Sequence, residues 1–125
     1  QSQHFKTIAE YWQRLDIALV GIGSPAIRHG ANWQAFYGNE QSDDLVVRQV
    51  AGDICSRFFD SEGQLVHTTM QEKTLAIELA ALRKARYAIG IAYGEEKQAA
   101  LLGALRGKHI NSLVTDRATA EYLVQ

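Results

Sequence analysis

Two short stretches of this chain carry residue types that could hold a negatively charged ligand. Each follows an apolar run that ends in glycine: Gly21-Ile22-Gly23-Ser24 after the first, and Gly94-Glu95-Glu96-Lys97 after the second. The first N–H groups of a helix lack intrahelical partners, and the helix dipole adds about half a positive charge at that end, so a strand that turns into a helix favours an anion such as phosphate. Lys97 would be its counterion. A lysine in a first helical turn opposes the dipole, which argues for an anion beside it; the alternative is that the glycines only permit tight turns and Lys97 is solvated. Asp53, directly after Gly52, could accept hydrogen bonds from hydroxyl groups, or could cap a turn.

The other candidates are weaker. His29, His67 and His109 fall in separate segments without the Ser/Asp partners of a catalytic triad, and are expected at the surface or in turns. Glu95 and Glu96 are adjacent at a helix start, where carboxylates suit the dipole better than paired acid/base work. Cys55, flanked by apolar residues, reads as inert packing within a strand. Trp33, Phe36 and Tyr37 could stack on a sugar, form a partner surface or plug a core, and no role is assigned to them. No Cys/His cluster has the spacing of a metal site.

These residues need a scaffold, and the hydrophobic pattern supplies one. His4 to Leu15 sets Phe5, Ile8, Ala9, Tyr11, Trp12 and Leu15 on one side of a helix. Ile17 to Gly23 and Arg86 to Gly94 are apolar runs expected as parallel strands buried on both faces. Between them lie an irregular loop from Ser24 to Asn39 and a helix from Ser42 to about Ala51. Asp53–Phe59 and Gln64–His67 read as a strand pair around the polar turn Asp60-Ser61-Glu62-Gly63. A short helix over Ile77–Lys84 precedes the second run, and a longer one over Glu95–Arg106 follows it. Ile110–Thr115 gives a third strand, and Asp116 caps a last helix. Alternating strands and helices predict an α/β domain, an open and mostly parallel sheet with flanking helices, plus a small antiparallel strand pair.

Composition narrows the function. The chain has 125 residues, 46% hydrophobic and 22% charged, enough for one globular core. Thirteen basic against fourteen acidic residues give a net charge of -1, so no overall positive field draws in nucleic acid. One cysteine cannot form an internal disulfide, and no apolar run approaches the ~20 residues of a membrane span. A reducing cytoplasm is the expected setting. The opening on a helix-like segment, without an initiator Met or a preceding strand, suggests a piece of a larger protein.

Four segments taken in order go beyond generic pattern: DIALVGIGS (16–24), GDICSRFFDSEGQLV (52–66), GIAYGEEK (90–97) and AALLGALRGKHINSLVTDRATA (99–120). Together they resemble the effector domain of SorC/DeoR-type sugar-responsive transcriptional regulators. The resemblance covers most of the chain. It implies a fold like that of glucosamine-6-phosphate deaminase, ribose-5-phosphate isomerase and the CoA-transferases, used as a sensor without catalysis and without a cofactor. It also implies that a DNA-binding helix-turn-helix and a first part of the effector domain lie outside these 125 residues. On this likeness Asp53 would hold sugar hydroxyls. Lys97 with the turn Gly94, Glu95 and Glu96 would face the phosphate of a phosphorylated sugar, and Gly23 and Ser24 would line the same cleft. Ser56 stands where relatives commonly carry glycine. The implied protein is a homo-oligomer that meets DNA only through the missing part and touches no membrane.

Two rival functions share the scaffold. A sugar-phosphate isomerase or deaminase would need a positioned general base and acid, and His29 with Arg28 near the first loop does not make the expected run. A pure assembly domain would bind no ligand at all.

Overall fold

In the computed structural model the described residues are 2–25, 49–68, 71 and 74–125. Helix α1 (Gln3–Trp12) opens the chain, started by Ser2, whose Oγ accepts the amide of Phe5 at 3.1 Å. Phe5 and Trp12 meet edge to face at 6.1 Å. The face expected to be buried is only half used, because Ile8 and Tyr11 remain 47% and 62% exposed.

Three parallel strands form the main sheet: β1 (Ile17–Gly21), β5 (Tyr87–Ile91) and β6 (Ser112–Val114), in the order β1-β5-β6. Ile17 pairs with Tyr87 and Gly21 with Ile91, while Ile91 in turn pairs with Val114. A second sheet is antiparallel and three-stranded, β2 (Gly52–Ile54), β3 (Arg57–Phe59) and β4 (Leu65–Val66). This corrects the strand pair read from the sequence. The stretch 53–59 is not one strand, because the chain reverses at Cys55-Ser56 with φ of 52° and 64° and pairs Asp53 with Phe58. Two consecutive positive-φ residues make the tight hairpin turn whose twist matches the flanking strands. Nothing in the residue types of Cys55 and Ser56 announces it.

Helices α2 (Leu79–Lys84), α3 (Gln98–Arg106) and α4 (Arg117–Leu123) follow among the described residues, and a 3-10 turn over Glu95–Lys97 leads into α3. The expected α-helix from Glu95 is thus tighter in its first turn. Asp116 caps α4 as anticipated, its carboxylate accepting the amide of Thr119 at 2.8 Å. Val50 and Ala51 are not helical; the amide of Ala51 already bonds the carbonyl of Phe59. The rest of the expected helix from Ser42, the loop beyond Pro25 with Trp33, Phe36 and Tyr37, and His29 lie outside the described residues.

One core gathers Ala18, Val20 and Ile22 from the first strand region, Ile54 and Phe59 from the small sheet, Leu79 and Leu82 from α2, Leu101 and Ala104 from α3, and Ile110. Trp12 of α1 and Leu123 of α4 pack on the same cluster. The parallel strands therefore bury one face, not the two that their apolar runs predicted. Buried Arg57 fixes the small sheet to the chain before α2, reaching the carbonyls of Ala76 (2.8 Å) and Ile77 (3.3 Å) and the carboxylate of Glu78 (2.9 Å).

His109 departs from the surface or turn position expected of it. It is 1% exposed, its Nε2 lies 2.7 Å from the carbonyl of Gly63, and its ring leans on Phe59. A carbonyl only accepts, so Nε2 carries the proton; Nδ1 is buried without a partner. Burial pushes the pKa of this imidazole below its ordinary value, with the Gly63 bond acting the other way and the charge of Arg83 adding to the lowering. Cys55 is exposed in the hairpin turn, not packed in a strand. Desolvation and then the nearby Asp53 carboxylate raise its pKa, which keeps it a protonated, weakly nucleophilic thiol.

Candidate functional site at the strand ends

Parallel pairing of β1 with β5 brings the carboxyl ends of both strands to one edge of the sheet, which is where open α/β sheets place ligands. From β1 the chain runs through Ile22 to Gly23 and there forms a two-bond antiparallel bridge with Asp53, at 2.8 and 3.1 Å. The bridge hooks β2 onto the end of β1. It also explains the glycine: a methyl group at Gly23 would lie 2.8 Å from Asp53 Cγ and overlap Oδ1. Only a residue without a side chain lets the Asp53 carboxylate lie over this backbone.

From β5 the chain passes Ala92 and Tyr93 to Gly94, whose φ of 108° and ψ of 156° are open only to glycine. Its amide is held by Thr119 Oγ1 at 3.1 Å, and Thr119, 1% exposed, is itself positioned by the Asp116 cap. The turn then presents Glu95 and Glu96 to solvent and sends Lys97 inward, partly buried. Two contacts tie it to the other strand end. Ser24 Oγ donates to the carbonyl of Glu96 at 2.8 Å, and the Lys97 ammonium donates to the carbonyl of Ile22.

Gly23, Ser24, Asp53, Gly94 and Lys97 are thus neighbours, with Glu95 and Glu96 on the rim. The Ile22 carbonyl also gives Lys97 a negative partner within the chain, so its place against the helix dipole is satisfied before any ligand is considered. An ammonium has three N–H donors, and one carbonyl does not exhaust them. The sequence reading missed the part of Thr119, although an acidic cap three residues ahead of a threonine was visible in it. Among the described residues no cluster of three or more His, Cys, Asp or Glu could hold a metal ion, and no helix is long and apolar enough to cross a membrane.

Comparison with known proteins decides the family. The model of the sugar-binding domain family, Sugar-bind, matches residues 1–125. The sorbitol operon regulator of Klebsiella pneumoniae is 70% identical over the whole chain, which spans 40% of that protein; its full-length crystal structure superposes with a TM-score of 0.91. This chain belongs to the sugar-binding domain family of SorC/DeoR-type transcriptional regulators. The deoxyribonucleoside regulator of Bacillus subtilis is 36% identical over 99% of the chain and 39% of its own length. A structure described as the sugar-binding domain of the regulator DeoR from Pseudomonas syringae pv. tomato matches 97% of the chain and 44% of that domain, at 29% identity and a TM-score of 0.71. These relatives are regulators, not isomerases or deaminases, and the chain spans less than half of each.

Proposed function

We propose that this domain is the effector sensor of a larger, oligomeric DNA-binding regulator in the cytoplasm, and that its effector is a phosphorylated sugar or sugar alcohol. The observation that carries the reading is the convergence of Lys97 and the Gly94 turn with Ser24 and Asp53, residues separated by some 30 to 70 positions in sequence. An ammonium suits a phosphate, although the Gly23 and Gly94 amides are already taken by the Asp53 carbonyl and Thr119 Oγ1. The Asp53 carboxylate, lying over the Gly23 backbone, suits vicinal hydroxyls. Effector bound across both strand ends favours one arrangement of the domain, and DNA affinity follows by linkage.

Because the Klebsiella relative is named for a sorbitol operon, sorbitol and its phosphates lead the panel to be tested. Calorimetric titration of the full-length regulator with hexose and hexitol phosphates, beside the matched unphosphorylated sugars, should show saturable binding of at least one phosphate and weaker binding of its parent sugar. Binding of the parent with equal strength would remove the phosphate from the proposal. No binding across the panel would remove the sensor.

A further inference from the structure

At the end of α3 away from Lys97 lies an open cavity of about 450 Å³, lined by Arg83, Arg106 and Lys108 with Glu62 as its one carboxylate. Helix α3 is nine residues long, so about 13 Å of helix separates this cavity from the strand-end site. Arg83 and Arg106 close the last turns of α2 and α3, where a cation suits the helix dipole. Arg106 is also shared between the Ser61 carbonyl at 3.1 Å and Glu62 at 3.6 Å. Lys108 needs a different account. The amide of His109 bonds the carbonyl of Ala104 and that of Lys108 the carbonyl of Leu105, each at 3.0 Å, the paired bonds of a Schellman helix end. Residue 108 then takes a φ of 59°, a position that glycine usually fills and where an L side chain is strained. The glycine stands one place earlier, at Gly107, because a side chain there would overlap His109 Nε2 and the Gly63 carbonyl.

Backbone strain of this kind points to a use for the side chain it carries. Arg83 and Lys108 make no ion pair among the described residues, and three cations against one carboxylate leave an excess of two positive charges around the cavity. The whole chain has a net charge of -1, so this surplus is local. We propose that the cavity is a second anion site, which takes a small ligand bearing a phosphate group. Its volume falls within the range of small-molecule sites. A guanidinium fork and an ammonium are the donors that phosphate oxygens accept most strongly. The site stands on its own residues and does not depend on what binds at the strand ends.

The test titrates inorganic pyrophosphate into the full-length regulator at low ionic strength, where exposed charges are least screened, with Lys97→Gln present throughout to silence the strand-end site. Arg83→Gln and Lys108→Gln, both at exposed positions, should each weaken binding by about 5-fold or more. Lys108→Gly separates a ligand role from a structural one: it should raise the melting temperature, since glycine is at ease in the left-handed region, and still lose pyrophosphate affinity. It also keeps the test decisive should a glutamine variant fold poorly. Affinity unchanged in all three variants overturns the proposal, and so does a regulator that binds no pyrophosphate, the result if its other parts close the cavity. A loss confined to duplex DNA without operator sequence, with pyrophosphate binding intact, would give the surface to a nucleic-acid backbone and refute the small-ligand site.

Discussion

Substituting Gly23→Ala separates the site's chemistry from the domain's stability. The added methyl meets the end of one short side chain first, its three nearest atoms being Asp53 Oδ1, Cγ at 2.8 Å and Oδ2 at 3.2 Å. Asp53 can yield by turning its carboxylate, at the ~0.5–1.5 kcal/mol of an off-rotamer side chain. For a domain of this size that is a fall in Tm of roughly 2–7 °C. Binding loses more. A hydrogen bond to a charged group contributes about 1.5–3 kcal/mol, so displacing the carboxylate from sugar hydroxyls should weaken effector binding by roughly 10- to 150-fold. Asp53→Asn keeps the volume and removes the charge, and should cost affinity on the same scale. Both act on one carboxylate, so the double variant should be little worse than either alone, a coupling that calorimetric titration of the full-length regulator reads directly. Additive losses, or a Gly23→Ala protein that binds as tightly as its parent, would refute the placement of Asp53 against the ligand.

Three further outcomes are expected. Lys97→Gln retains a donor for the Ile22 carbonyl but not the charge, so it should lower affinity for a sugar phosphate by about 10-fold or more while binding of the unphosphorylated sugar changes little; equal losses on the two ligands would deny Lys97 a phosphate contact. Ser56→Gly relieves a left-handed residue at φ 64° and should raise stability by about 0.5–1 kcal/mol in chemical denaturation, partly offset by the greater freedom of glycine when unfolded. A decrease would show that the Ser56 hydroxyl contributes more than its backbone costs. The buried His109 is held neutral, its pKa lowered by burial, so the unfolded chain binds a proton that the folded one resists. Stability is fully present above about pH 6.5 and should fall as pH drops below it. His109→Gln should flatten that fall in a series of melts, and an unchanged slope would place the titration elsewhere.

The parallel strands, the first helix, the helices beyond residue 77 and the order in which they alternate were legible because apolar runs bounded by glycine, and a capping aspartate, have few other readings. So was the meeting of two strand ends, which follows from parallel topology alone. The hairpin at Cys55-Ser56 was not legible, since two L-residues there adopt a conformation that their types disfavour and tertiary packing of Phe58 and Phe59 overrides. His109 was misread for a related reason. Its partner, the Gly63 carbonyl, lies 46 positions away, and a polar side chain is recognised as buried only once its partner is known. The apolar runs of β1 and β5 were read as buried on both faces, whereas Ile17, Leu19 and Ile91 are exposed; an apolar run by itself does not say which of its faces packs.

Lys97 shows how a placement read from sequence can rest on an incomplete reason. Its place in a first helical turn suggested an anion because the dipole there repels a cation. The structure puts it in a 3-10 turn ahead of α3 and seats its ammonium on the Ile22 carbonyl, with Ser24 tying the same two loops through Glu96. The chain thus neutralises the anomaly by itself, and the dipole argument no longer requires a ligand. What remains is geometric. The two ties hold an ammonium, the Gly23 backbone beneath Asp53, and the Gly94 turn in one rigid frame, so a ligand entering here meets donors and acceptors already placed and loses little free energy in ordering them. A phosphate that draws the ammonium off Ile22 must replace that bond, whereas one that shares it adds to the frame. The second course gains more, because Lys97 then keeps its carbonyl acceptor and adds a charged one.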